Sequence, residues 1–210
     1  MSGARFVVTG TDTDIGKTVF AAALTGALAA SYWKPIQAGL DGETDSQTVA
    51  RLSRSPEHKI LPETYRLATP ASPHLAAEID GITIDPDALT PPDVDGPLVI
   101  EGAGGLLVPV DRRTLTIDVF ARWGLPTILC ARTSLGAINH ALLSLRAMAA
   151  WAVPMAGVVF IGDEMADTQA TIAALSGAKI LGRLPRVDPL TPDNLRAAFT
   201  AHFNIADFQP

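Results

Sequence analysis

The run Gly10-Thr11-Asp12-Thr13-Asp14-Ile15-Gly16-Lys17-Thr18, directly after the segment Phe6-Val7-Val8-Thr9, constrains the fold of this chain more than any other stretch. It predicts a strand, a glycine-bounded loop and a helix opened by Gly-Lys-Thr, the setting a phosphate-binding loop requires. In that geometry the N–H groups of the loop and first helical turn converge on an anion, and the helix dipole favours negative charge there. Lys17 then reaches the β- and γ-phosphates of a nucleotide, and the Thr18 hydroxyl suits a Mg²⁺ ligand. Five residues separate Gly10 from Gly16 where about four are usual. Either the loop is one residue longer or Thr11 stands where the first glycine normally sits. The competing reading is a glycine-rich turn with a surface lysine; the strand before and the helix after favour the nucleotide.

Short apolar runs alternate with helical patterns along the rest of the chain. Strands are expected at Arg5–Thr9, Ser31–Trp33, Pro97–Ile100, Pro126–Ala131, Met155–Ile161 and Ile180–Leu184. Helices are expected at Gly16–Ala30, from Asp45, and at Thr116–Trp123, Asn139–Trp151, Asp167–Ser176 and Thr191–Phe203, the last with Thr191 as N-cap and Pro192 behind it. Such alternation implies an α/β fold, a parallel sheet covered by helices on both faces. At 210 residues the chain has the length of one such domain, residues 1–210, within which residues 56–97, rich in Pro, Asp and Thr, form a long excursion.

A net charge of −6 argues against nucleic acid or an anionic membrane as partner, and no run is long enough to span a bilayer. The single cysteine, Cys130, lies in an apolar strand pattern and reads as a packed thiol. Asp12 and Asp14 interrupt any signal-peptide core, so a cytoplasmic protein is expected.

Ligands of open parallel sheets bind beyond the carboxyl ends of the strands. Four polar clusters follow expected strands: the loop, Lys34-Pro35-Ile36-Gln37, Glu101-Gly102-Ala103-Gly104-Gly105 and Thr133-Ser134-Leu135-Gly136. Glu101 either holds Mg²⁺ from a strand end or is solvated in a turn. Lys34 either stabilises charge on a transferred phosphoryl group or is solvated. Asp45 either shares a metal shell or, like Thr44, caps a helix. Ser72-Pro73-His74 positions a substrate or forms a turn, and Asn139 touches a ligand or caps the helix it opens. No cysteine–histidine set has zinc spacing and no serine or cysteine triad stands out, so the chemistry runs through phosphates and a divalent cation.

Taken in order, five stretches resemble the dethiobiotin synthetases: Thr9–Thr18 with its lengthened loop, Lys34-Pro35-Ile36-Gln37-Ala38-Gly39, Ser72-Pro73-His74, Glu101–Gly105 and Leu135–Ala141. The resemblance covers most of the chain. It implies a P-loop NTPase-like fold and an ATP-dependent cyclo-ligase that carboxylates 7,8-diaminononanoate with CO₂ or bicarbonate, phosphorylates the carbamate and closes a ureido ring. It implies Lys34 and Lys17 as catalytic lysines, with Thr18, Asp45 and Glu101 around Mg²⁺. Nucleotide contacts would come from Asp14, Ile15, Gly16, Lys17, Thr18 and Val19, from Asp45, from Glu101, Gly102, Ala103 and Gly104, and from Pro185, Arg186 and Val187. Substrate contacts would come from Thr11, Lys34, Ala38, Gly136, Asn139 and His140. It also implies a homodimer in which the Gly136–His140 segment reaches the substrate held by the other subunit.

The chain departs from that pattern in places. Ala38 stands where relatives often carry a hydroxyl, and the pair relatives place against adenine has only Gly162-Asp163 as a counterpart. A different class with the same fold is an ATPase switch of the partitioning or cell-division-positioning kind. Those switches usually carry a second lysine inside the loop, where this chain has Asp12-Thr13-Asp14.

Overall fold

A computed structural model describes residues 3–209. The order of elements is β1 (Arg5–Gly10), α1 (Lys17–Leu28), β2 (Ser31–Trp33), β3 (Ile36–Ala38), α2 (Asp45–Ser53), β4 (Ile60–Leu61), β5 (Tyr65–Leu67), α3 (Pro73–Asp80) and β6 (Leu98–Gly105). It continues with α4 (Thr116–Trp123), β7 (Thr127–Arg132), α5 (Ala137–Ala150), β8 (Met155–Ile161), α6 (Ala166–Ser176), β9 (Ile180–Leu184) and α7 (Pro192–His202).

Seven strands form one parallel sheet in the order β4-β2-β6-β1-β7-β8-β9. The chain builds the β2–β6 side first and then crosses β1 to build the β7–β9 side. That reversal makes the carboxyl end of β1 the switch point, where open α/β sheets bind ligands. Buried side chains cover both faces. On one, Phe20 and Leu24 of α1, Val49 and Leu52 of α2, and Phe199 of α7 pack on Phe6, Val8 and Val159. On the other, Phe120, Leu145 and Ile172 pack on Val7, Ile100 and Leu129.

Two small features set the spacing of the site. Gly26 of α1 lies against Ser53 of α2 so closely that an added Cβ would meet the Ser53 carbonyl at 3.2 Å. The same number of residues back along each helix, Thr18 meets Asp45 at 3.1 Å. The close crossing thus brings the first turns of α1 and α2 together.

The α/β expectation is met, with corrections. The strand expected to end at Ile100 continues to Gly105, paired to β1 at Val8↔Glu101 and Gly10↔Gly105, so Glu101 and its glycines are not a turn. Glycines weaken strands locally, but here parallel pairing carries the chain through them. Ile36–Ala38, expected only as a polar cluster, pairs with Tyr65–Leu67 in a second sheet. Ser72-Pro73-His74 is not a turn: Ser72 is the N-cap and Pro73 the first residue of α3. The helix expected from Asn139 starts at Ala137 on a left-handed Gly136 cap, so Asn139 is not its N-cap. The excursion also contributes β4 to the edge of the main sheet.

Candidate nucleotide and transfer site

The loop after β1 turns on two glycines. Gly16 holds φ +94° as the N-cap of α1, a conformation L side chains seldom adopt. A Cβ on Gly10 would lie 2.5 Å from Ile15 and 2.9 Å from the Lys17 side chain. Ile15 is buried beneath the loop, and the Thr11 N–H donates to the Cys130 carbonyl at 3.0 Å. Arg132 ties down the outside, donating to the Thr13 carbonyl at 2.7 Å. The buried Lys17 ammonium donates to the Asp12 carbonyl at 2.6 Å, folded over the mouth of the loop. Burial lowers its pKa, Glu101 partly offsetting this.

A cavity of about 340 Å³ opens here, lined by Thr13, Asp14, Gly16, Lys17 and Thr18, with Lys34, Asp45, Glu101 and Gly104 opposite. Lys34 follows β2 and is 4% exposed; Glu101 is 1% exposed. The Lys34 ammonium lies 2.6 Å from Asp45 Oδ2, 3.2 Å from Glu101 Oε1 and 3.2 Å from the Gly102 carbonyl. All three of its protons are therefore matched. Burial alone would depress the Lys34 pKa, but Glu101 and Asp45 outweigh it and the value is raised. Burial likewise pushes Asp45 up, and Lys34 with Thr18 pulls it below the usual carboxylate range.

Thr18 Oγ1 lies 2.8 Å from Glu101 Oε1 and 3.1 Å from Asp45 Oδ1. Two carboxylates and a hydroxyl at the loop's first helical turn form the hard-oxygen set that Mg²⁺ favours. At Asp45 the capping role falls to its neighbour. Thr44 caps α2, accepting from the Gln47 N–H in a capping box, which leaves the Asp45 carboxylate free to face Thr18 and Lys34. Cys130 is buried, and burial pushes its thiol far up, consistent with a packed residue.

The other expected site residues are not in the lining of this cavity. Val19 follows Thr18 on α1; Gly102 and Ala103 continue β6. Ala38 ends β3 and is half-buried. Pro185, Arg186 and Val187 follow β9, close to Gly162, whose carbonyl accepts from Arg183 at 2.9 Å. Gly136, Asn139 and His140 are exposed at the start of α5, outside the cavity lining. A larger cavity, about 600 Å³, lies between α1, α2 and α7 and contains none of these groups.

Two residues make contacts to which the sequence reading gave no role. Tyr32, fully buried, donates to Glu101 Oε2 at 2.8 Å; burial first, then Glu101, raises its pKa well above the usual phenol value. Its signal was present, because side chains two apart on a strand share a face and Lys34 follows two residues later. Gln37 accepts the Asp45 N–H at 3.2 Å and donates to the Ala38 and Gly39 carbonyls, tying β3 to the start of α2. Nothing local in the sequence marks that long-range bond.

A family model described as an AAA domain matches residues 4–194. The ATP-dependent dethiobiotin synthetase BioD of Rhodopseudomonas palustris (strain BisB5) is 63% identical over 202 residues, covering 96% of this chain and 95% of that protein. The protein of that name from Agrobacterium fabrum is 62% identical over 204 residues, covering 97% and 96%. This chain belongs to the ATP-dependent dethiobiotin synthetases. Dethiobiotin synthetases are ATP-dependent ligases of biotin biosynthesis, so the ligase reading stands and the ATPase-switch alternative is not supported. Solved structures show how far the fold reaches beyond this family. A ParA family ATPase from Chlorobium tepidum aligns with TM-score 0.54 at 12% identity, covering 94% of this chain and 92% of that one. A MinC:MinD cell division protein complex from Aquifex aeolicus aligns with TM-score 0.51 at 16% identity, covering 93% and 86%. At such identities the likeness concerns the fold alone.

Proposed function

We propose that this synthetase converts 7,8-diaminononanoate, CO₂ and ATP into dethiobiotin, ADP and phosphate, with Lys34 at the point of phosphoryl transfer. The observation that carries the reading is the placement of the buried Lys34 ammonium between Asp45 and Glu101, across the cavity from Lys17 and Thr18. One substrate amine takes up CO₂ as a carbamate. The carbamate oxygen attacks the γ-phosphorus of ATP, releasing ADP and leaving a carbamic–phosphoric anhydride. The second amine attacks the carbonyl carbon, phosphate leaves, and the ring closes. Every nucleophile belongs to a substrate, so the protein's work is positioning and charge stabilisation. The buried Cys130 supports that division.

The loop N–H groups and Lys17 would hold the phosphates, and Lys34 would neutralise charge on the carbamate and the transferred group. Thr18, Asp45 and Glu101 would hold Mg²⁺, which when bound supplies charge neutralisation on the phosphate oxygens. Residues from Asp14 to Val19 and from Glu101 to Gly104 would line the nucleotide, with Pro185, Arg186 and Val187 near the base. Thr11 and Ala38 would lie along the diamine.

Among the described residues Gly136, Asn139 and His140 are exposed and outside the cavity lining, which supports a homodimer whose α5 end reaches the substrate of the other subunit. Leu135 beside them is 106% exposed. A cytoplasmic location accords with small soluble substrates; no described helix is long and apolar enough to cross a membrane.

The test is incubation with ATP, bicarbonate and the diamine, followed by mass detection of the cyclic urea and assay of phosphate. Dethiobiotin should appear in step with phosphate only when all three are present. Equal ATP hydrolysis without diamine and bicarbonate, and no cyclic urea, would sink the reading.

A further inference from the structure

We infer that Tyr32 is a positioning residue for Glu101, fixing which of its carboxylate oxygens faces the nucleotide and its cation. The inference deepens the proposed function and rests on Glu101 belonging to the Mg²⁺ shell.

The two oxygens of Glu101 have different surroundings. Oε1 lies 2.8 Å from Thr18 Oγ1 and 3.2 Å from Lys34 Nζ, on the cavity side. Oε2 accepts the Tyr32 hydroxyl at 2.8 Å. Tyr32 is 0% exposed and packed in the core with Phe20 and Val49 on the α1–α2 face of the sheet. Among the described residues Glu101 is the only hydrogen-bond partner of its hydroxyl. The terminal torsion of a glutamate is broad and nearly two-fold, so an untethered carboxylate samples many orientations. A single donor on Oε2, held by a ring that cannot move without disturbing the core, removes that freedom. Oε1 is then committed to Thr18 and to whatever cation Thr18 binds. Partners that orient a ligating carboxylate matter almost as much as the ligand, and their loss typically costs about 10–100-fold in metal affinity or activity.

Trp33 provides the control. It is the next residue on the same strand, so its side chain lies on the opposite face, against Phe120 and Trp123. Truncating it disturbs packing without touching Glu101.

The experiment titrates Mg²⁺ into wild type, Tyr32→Phe and Trp33→Phe at fixed ADP and follows ADP binding by calorimetry, with melting temperature recorded in parallel. Tyr32→Phe should raise the Mg²⁺ concentration for half-maximal enhancement of ADP binding about 10–100-fold. ADP binding without Mg²⁺ should stay near wild type. Trp33→Phe should melt earlier yet keep the wild-type Mg²⁺ requirement. A Tyr32→Phe protein with lowered melting temperature and an unchanged Mg²⁺ requirement makes Tyr32 merely structural and overturns the inference. If wild type shows no Mg²⁺ enhancement at all, the reading of Glu101 as a shell residue falls, and the inference with it.

A second measurement needs no substitution. The chain has two tyrosines, so 3-fluorotyrosine labelling gives two fluorine resonances. The buried Tyr32 signal should shift when Mg²⁺ is added to the ADP complex, while that of Tyr65, whose hydroxyl accepts from the Asp85 N–H on the second sheet's side, should not. A Tyr32 signal indifferent to Mg²⁺ overturns the inference even if Tyr32→Phe does not fold.

Discussion

Two regions at the carboxyl edge of the sheet carry the family's motifs, and they are finished to different degrees. Around Lys34 the chain has matched nearly every polar group to another: ammonium to two carboxylates and a carbonyl, Thr18 to both carboxylates, Tyr32 to Glu101. At the start of α5, Asn139 and His140 stand exposed beside a fully exposed Leu135. A charged centre left unmatched in the interior is costly, so that region must be complete within one chain. An exposed helix end carries no such penalty and can wait for a ligand or a second subunit. The contrast separates chemistry that one chain holds ready from recognition that assembly would complete.

The largest expected effect attacks the finished region. Lys17→Ala removes the ammonium folded over the loop and should lower turnover about 10³-fold or more and greatly weaken ATP binding by calorimetry. A variant near wild type in both would show that the long loop is no phosphate cradle. Next comes the unfinished region. Asn139→Ala should raise KM for the diamine about 10–100-fold, as when a charged partner loses its hydrogen bond, and leave ATP affinity unchanged. A parallel loss of ATP affinity would erase the distinction between the regions.

A smaller effect is read in stability. The Asp45 pKa is lowered below its ordinary 3.8, so its contribution is present above that pH and lost as pH falls through the still lower folded value. The Lys34 pKa is raised above its ordinary 10.5, so its contribution is present below that pH and lost as pH rises through the folded value. Breaking a fully buried pair costs about 3–5 kcal/mol; with the Asp45 side chain 32% exposed, about 1–3 kcal/mol is expected for Asp45→Asn. Urea midpoints should show that difference constant from about pH 5 to 9 and shrinking below about pH 4. A difference that grows in acid would contradict the pairing. The smallest effect is Thr44→Ala, which removes the α2 cap at a cost of about 1 kcal/mol and should leave turnover within about two-fold.

The two regions also differ in how plainly the sequence announced them. The loop was legible because its pattern is contiguous: strand, glycines, Lys17 and Thr18 in one run. A strand of the sheet core such as Met155–Ile161 was legible because two-sided burial demands a near-continuous apolar stretch. The continuation of β6 through Glu101–Gly105 was hidden, since glycines read locally as a turn and only pairing with β1 reveals the strand. β3 and β5 are three residues each and stabilise one another across the sequence, leaving no periodicity to find. That Thr44 and not Asp45 caps α2 rests on the Thr44–Gln47 exchange, visible in hindsight as a capping-box spacing. Tyr32 shares a strand face with Lys34, a spacing the sequence shows, but its partner Glu101 lies far along the chain; the Gln37–Asp45 bond leaves no mark in spacing at all.

Mixing two impaired variants, assayed at a diamine concentration far below the KM of Asn139→Ala, tests the division most directly. Lys34→Gln should lower turnover about 10²–10³-fold while sparing ATP binding, and Asn139→Ala should fail at diamine recognition. If each active site joins the Lys34 region of one subunit to the α5 end of the other, a heterodimer has one doubly altered site and one intact site. Equal amounts, unfolded and refolded together, should therefore recover about a quarter of wild-type dethiobiotin formation. Recovery no greater than the sum of the separate variants, with subunit exchange verified by mass, would contradict the account.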